Sequence, residues 1–131
     1  MATIKSFSDL EQSKKLAEFL PLESADMYYF RQIDSDYFPS NVESICPIPL
    51  FKDGKEDFKY DIRCWSLAAL LELLPKRIEI VDNVYELSVY LYGLYYWNIN
   101  NGNLCFESKD KDNLVDACYE AMVFLHEQKL L

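Results

Sequence analysis

The sequence predicts an α+β fold, a single globular domain over residues 1–131 with three amphipathic helices packed on one face of a small, mainly antiparallel sheet. Three observations lead there. Apolar residues recur at helical spacing in three short segments, each opened by a side chain able to cap a helix. Between the segments lie stretches rich in Tyr, Val and Ile, one of them strictly alternating. Half of the residues are hydrophobic and 15% are aromatic, which at 131 residues is enough for a packed core.

The first helix is expected over Ser8–Leu20. Ser8 and Glu11 have the spacing of a capping box, in which each side chain accepts from the other residue's backbone N–H. Leu10, Ala17 and Leu20, with Leu16 beside them, form the apolar stripe, and Pro21 forbids continuation. Ala25–Ile33 then reads as a strand, with helix left open as an alternative. Over 34–61, Pro39, Pro47 and Pro49 cannot donate to a central ladder, so loop plus an edge strand is expected. Asp53-Gly54 is a turn signal between Pro49–Phe51 and Phe58–Tyr60, which predicts a hairpin there.

The second helix, Ser66–Leu74, has the cleanest period: Leu67, Leu70, Leu71 and Leu74 share a stripe, Ser66 caps it and Pro75 stops it. In the strand Tyr85–Tyr92 the odd positions Tyr85, Leu87, Val89 and Leu91 are predicted to face the core. The even positions Glu86, Ser88, Tyr90 and Tyr92 form the other face. Gly93 marks a bulge or a tight turn, and Leu94–Ile99 resumes extended character. Asn100-Asn101-Gly102-Asn103 is a hairpin turn before Leu104–Glu107. The third helix, Asn113–Lys129, buries Leu114, Ala117, Cys118, Ala121, Met122 and Leu125, with His126 and Lys129 as cations in its last turn. Leu16–Pro21 echoes Leu70–Pro75, but the segments that follow do not match. Any amphipathic helix ended by proline would look alike.

Formal net charge is −9, and every quarter of the sequence is net acidic. The basic footprint of a nucleic-acid or anionic-membrane binder is missing, so neither is an expected partner. Met1 to Phe7 lacks an apolar h-region, and no apolar run is long enough to span a bilayer, so a cytoplasmic location with reduced thiols is expected.

Candidate chemistry is sparse. Cys46, Cys64, Cys105 and Cys118 are separated by 18, 41 and 13 positions, without the close pairs of a structural zinc site, so no metal and no cofactor is expected. Cys118 and His126 stand about 12 Å apart along one helix, too far for a nucleophile–base pair. Glu72 points away from the Leu67/Leu70/Leu71/Leu74 stripe and is expected to be solvated. Gly54, Gly93 and Gly102 are too scattered for a phosphate loop. The chain is therefore more readily a non-enzyme, and no catalytic residue is assigned.

What rises above this background is aromatic. Tyr90 and Tyr92 fall on the polar side of their strand, and Tyr95, Tyr96 and Trp97 follow directly. Exposed, they would form a protein-binding surface, since interface cores are rich in Tyr and Trp. Cross-strand aromatic pairs on an ordinary solvated face would produce the same pattern.

Three blocks, LEQSKKLAEFLPLESADM over Leu10–Met27, WSLAALLELLP over Trp65–Pro75, and VDACYEAM over Val115–Met122 with Leu125-His126-Glu127, together resemble a family of small uncharacterised proteins encoded by prophages and other mobile elements of Bacteroides-type gut bacteria. The blocks cover under half of the chain. The resemblance implies a context, an intracellular accessory protein of a mobile element, and no catalytic residue or cofactor. The expected function is a non-enzymatic interaction protein whose partner is a host or phage protein or a second copy of the chain. The alternative is a small enzyme or small-molecule binder with a cleft near residues 34–61.

Overall fold

The computed structural model describes residues 5–29, 31–32, 44–45, 49–52, 62–91, 93–108 and 112–131. Among them are three helices, α1 (Leu10–Leu16), α2 (Leu67–Leu73) and α3 (Leu114–Glu127). Nine strands accompany them: β1 (Met27–Tyr29), β2 (Arg31–Gln32), β3 (Ser44–Ile45), β4 (Leu50–Phe51), β5 (Ile62–Cys64), β6 (Arg77–Ile80), β7 (Asn83–Tyr90), β8 (Gly93–Asn98) and β9 (Leu104–Glu107). The architecture is α+β, and all strand pairings are antiparallel. The described strands form three ladders rather than one sheet: β4-β1-β5, β2-β3 and the meander β6-β7-β8-β9.

The first helix is shorter than its apolar stripe predicts, and its cap lies one residue later. Asp9, not Ser8, caps α1: its carboxylate accepts from Gln12 N at 2.8 Å, and the Gln12 side chain returns to Asp9 N. Ser8 is taken elsewhere. It is fully buried, and its backbone N–H donates to Trp65 O at 2.9 Å, pinning the chain ahead of α1 alongside β5. After Leu16 the backbone tightens through short turns to Leu20, and a single 3-10 turn, Leu22–Ser24, follows Pro21.

Ser66 caps α2 as expected, and the cap is itself held, because the Asp26 carboxylate accepts from both Ser66 N and Ser66 Oγ. Leu50–Phe51 pairs with β1, with Met27 opposite Phe51. Phe58–Tyr60, Asp53-Gly54, Pro39, Pro47 and Cys46 lie outside the described residues.

One core joins the helices to the four-stranded meander. Leu16 and Leu20, Leu70 and Leu74, and Val115, Cys118, Ala121, Met122 and Leu125 close over Ile78, Leu94 and Tyr96, with Trp65 fully buried among them. Here α3 packs against β8 and β9 and also against α1 and α2. A smaller cluster, Met27, Tyr29 and Cys64 with Phe7, Leu10 and Ile62, lies between α1 and the three-stranded ladder.

The alternation in β7 holds only for its first half. Tyr85 and Leu87 pack into the core, whereas Val89 is 45% and Leu91 75% exposed. The strand outruns the layer above it, and Leu91 sits in the turn before Gly93. At the other end of β7 the turn residues Val81 and Asp82 both have positive φ, 47° and 63°. That is the type I′ pattern, which favours Asn, Asp and Gly. A β-branched residue there is strained, and Val81 is 85% exposed, so no packing compensates.

Val81→Asn is therefore expected to stabilise the protein by roughly 1 kcal/mol. The check is the urea midpoint, which should rise with an unchanged slope; an unmoved midpoint would show that the turn is not strained.

Candidate functional site

Three places bring polar side chains together: a buried junction at Ser8, a bridge at Lys5, and the outward face of the four-stranded sheet. At the junction the Ser8 carbonyl accepts from Tyr29 OH at 2.7 Å and from Cys64 Sγ at 3.3 Å. The Ser8 hydroxyl accepts from Trp65 N at 3.1 Å and shares a 2.7 Å hydrogen bond with Ser13 Oγ. A thiol, a phenol and two hydroxyls thus meet in one buried spot, the group of residue types that nucleophilic chemistry uses. Their protonation argues against that use. Burial pushes the Cys64 thiol up, further than its hydrogen bonds to Ser8 and Ser13 draw it back, and burial also raises the Tyr29 phenol. A reactive thiol needs the opposite shift and access to solvent. The junction is structural.

The bridge links helix starts that are far apart in sequence. Lys5 Nζ donates to Asp116 Oδ1 at 2.7 Å and to Asp9 Oδ2 and Gln12 Oε1, each at 3.0 Å. Gln12 Nε2 also donates to Asp116 Oδ1, at 2.8 Å, and Asn113 Nδ2 to Asp116 Oδ2, at 2.9 Å. Partial burial pushes the Asp116 carboxyl up, but the hydrogen bonds from Lys5, Gln12 and Asn113 outweigh it and hold the group below its ordinary range. Lys5 is the mirror case: burial lowers it, and its bonds to Asp116 and Asp9 raise it above the usual lysine value. A charge pair satisfied on every side positions helices and leaves no group poised for proton transfer.

The remaining titratable candidates also have structural places. Cys118 lies in the core, where burial pushes its thiol up to about 12, and Cys105, half-buried on β9, is raised for the same reason. His126 is exposed in the last turn of α3, its ring stacked on Phe19 with centroids 4.3 Å apart. Among the described residues no group of His, Cys, Asp or Glu is gathered to hold a metal ion, and no helix is long and apolar enough to cross a membrane. A concavity of about 390 Å³ is lined by Ser24, Asp26 and α2 residues including Glu72. Two of its polar groups are occupied, since Asp26 holds Ser66 and Ser24 Oγ accepts from Trp65 Nε1 at 2.9 Å. Among the described residues the lining comes from 24–26 and α2.

The outward face of the meander is the remaining candidate. Cross-strand register puts Arg77, Glu86 and Trp97 in one row and Ser88, Tyr95 and Glu107 in the next, with Tyr90 opposite Gly93 beyond. Tyr96 points the other way: it is fully buried, and its hydroxyl donates to Pro75 O at 2.7 Å. Tyr90 is 46% exposed, and its ring lies 6.1 Å from that of Tyr95. Part of its surface serves the sheet. A Cβ at position 93 would stand 2.5 Å from the Tyr90 hydroxyl and 2.6 Å from Ser108 Oγ, so glycine is needed for the ring to cross there. Trp97 is anchored by its Nε1, which donates to Ser88 Oγ at 3.0 Å. Arg77 donates to Glu86 Oε1 through Nε at 3.1 Å and Nη2 at 2.7 Å. Of the two tyrosines expected from sequence, Tyr90 is on this face and Tyr92 lies outside the described residues. Alternation within one strand did not reveal Glu107, which joins the site only through the β8–β9 register.

Comparisons with protein-family models, with curated proteins and with solved structures found no match.

Two predictions follow from these groups. Because folding lowers the Asp116 carboxyl, its stabilisation is complete above the ordinary aspartate pKa and is lost as pH falls through the depressed folded value. Asp116→Asn should therefore flatten the acid limb of stability below about pH 4, read as urea midpoint against pH; an unchanged limb would remove Asp116 from the linkage. In a Cys46→Ser/Cys105→Ser background, Cys64 and Cys118 should react with an aromatic disulfide reagent only as fast as the protein unfolds. Rapid reaction of Cys64 in native buffer would show that the Ser8 junction opens.

Proposed function

We propose that this protein is a non-enzymatic interaction module that binds another protein through the outward face of the β6–β9 sheet. The three helices act together as its backing layer on the inner face. The observation that carries this reading is the Tyr90–Tyr95–Trp97 ridge, with rings held by Gly93, by one another and by Ser88 while Tyr90 stays half exposed. Pre-set aromatic side chains bury much area at small entropic cost, which is what an interface core requires. In this proposal the setting is that of the sequence resemblance: an intracellular accessory protein of a phage or other mobile element, acting on a host or phage protein.

The alternative, a small enzyme or ligand-binding protein with a cleft near 34–61, draws less support. Among the described residues the buried nucleophiles are raised by burial, and the Asp26 carboxylate in the concavity is engaged in holding the α2 cap Ser66.

The test is the paired substitution Tyr90→Ser/Tyr92→Ser, with Tyr90→Phe as the control that keeps the ring. The Ser variant should keep a cooperative unfolding transition and lose proteins captured by the wild type from its host, while Tyr90→Phe retains most of them. Identical capture profiles for a folded Ser variant and the wild type would refute the proposal.

A further inference from the structure

The chain shows on its own surface how a cation pairs with a carboxylate of this face. On this face each outward ring of β8 stands directly opposite a carboxylate: Trp97 opposite Glu86, and Tyr95 opposite Glu107. The first carboxylate is paired from within. Arg77, next in the same row, puts its guanidinium 2.7 Å from Glu86. The second pair is one row along, Ser88–Tyr95–Glu107, and among the described residues no cation pairs with Glu107. Glu107 is exposed, and the Tyr90 ring flanks Tyr95 at 6.1 Å.

Resting on the reading of this face as an interaction surface, we propose that the Tyr95–Glu107 pair receives an arginine or lysine side chain of a partner polypeptide, its carboxylate engaged as Glu86 is by Arg77. Two forces act together there. A guanidinium or ammonium over a tyrosine face gains cation–π attraction, and the adjacent carboxylate supplies a charged acceptor. Directly opposed residues on neighbouring strands have Cβ atoms about 5 Å apart, so one cation reaches both. Charge also selects among occupants. The protein carries a net −9, so a second copy meets like charge, and the carboxylates of Glu79, Glu86 and Glu107 on this face outnumber its one described cation, Arg77. The complementary partner is a basic segment.

The experiment is an amide-resolved NMR titration of the full chain with a peptide of four arginines in Gly-Ser flanks, against the same peptide with four glutamates. The arginine peptide should shift the amides of Tyr95 and Glu107 and their neighbours, and bind about threefold or more weaker to Glu107→Gln. The glutamate peptide should leave these signals in place. Shifts scattered over the acidic surface and indifferent to Glu107→Gln would overturn the proposal, as would the absence of shifts. So would a dimer in sedimentation that Tyr90→Ser dissolves and Glu107→Gln does not, because a second copy would then occupy the face. If partner capture falls in the tyrosine variant but is unaffected by Glu107→Gln, the interaction surface stands and its cationic ligand does not.

Discussion

The Ser8 carbonyl accepts from Tyr29 and Cys64 while the residue's N–H donates to Trp65 and its hydroxyl accepts from the Trp65 N–H. Through this one buried residue the start of α1, β1 and β5 are joined, and Phe7 opposite Ser66 extends the contact to the cap of α2. Each polar group at Ser8 has a partner, which a buried backbone requires. Trp65 is the largest fully buried side chain, and it is held from both sides: its backbone bonds Ser8 and its indole N–H bonds Ser24. The smaller cluster and the main core therefore share a wall. Removing the hydroxyl would strand the Trp65 N–H away from water, a cost of about 1–3 kcal/mol.

That arrangement explains what sequence alone conveys and where it stops. Stripes with a clear period face the core: Leu70, Leu74, Ala117, Cys118, Ala121, Met122 and Leu125 are buried in it, and Leu67, Leu71 and Leu114 pack against it partly buried. The Asn-rich turn is also local, with Asn98 Oδ1 accepting from Asn100 N and Asn101 N and Gly102 at φ 77°. The sequence predicts a cap at Ser8 because a serine followed three residues later by Glu looks the same whether its hydroxyl bonds the helix or a distant strand. Val81-Asp82 carries no turn signal, because its positive φ values are imposed by the β6–β7 pairing and not favoured by valine. Val89 and Leu91 alternate correctly, yet periodicity cannot say where the covering layer ends. The outward site was half legible. Tyr90 follows from alternation, while Glu107 and Arg77 enter it only through register between strands.

A common thread runs through the thiols and the aromatic face. Apolar surroundings push Cys64, Cys105 and Cys118 toward the neutral thiol, making them small core residues. Charge is kept at the periphery, where Asp116 and Lys5 fasten helices and Arg77 and Glu86 decorate the sheet.

The Lys5–Asp116 contact spans 111 positions, whereas every pairing in the β6–β9 meander joins consecutive strands. Loop closure favours the short connections, so the meander can zip up by itself once its hairpins exist. The clasp between the two ends of the described fold must wait until α3 has been made. During synthesis Ser8 can take its seat against Tyr29, Cys64 and Trp65 first, while the Lys5 ammonium, compatible with water, waits for Asp116.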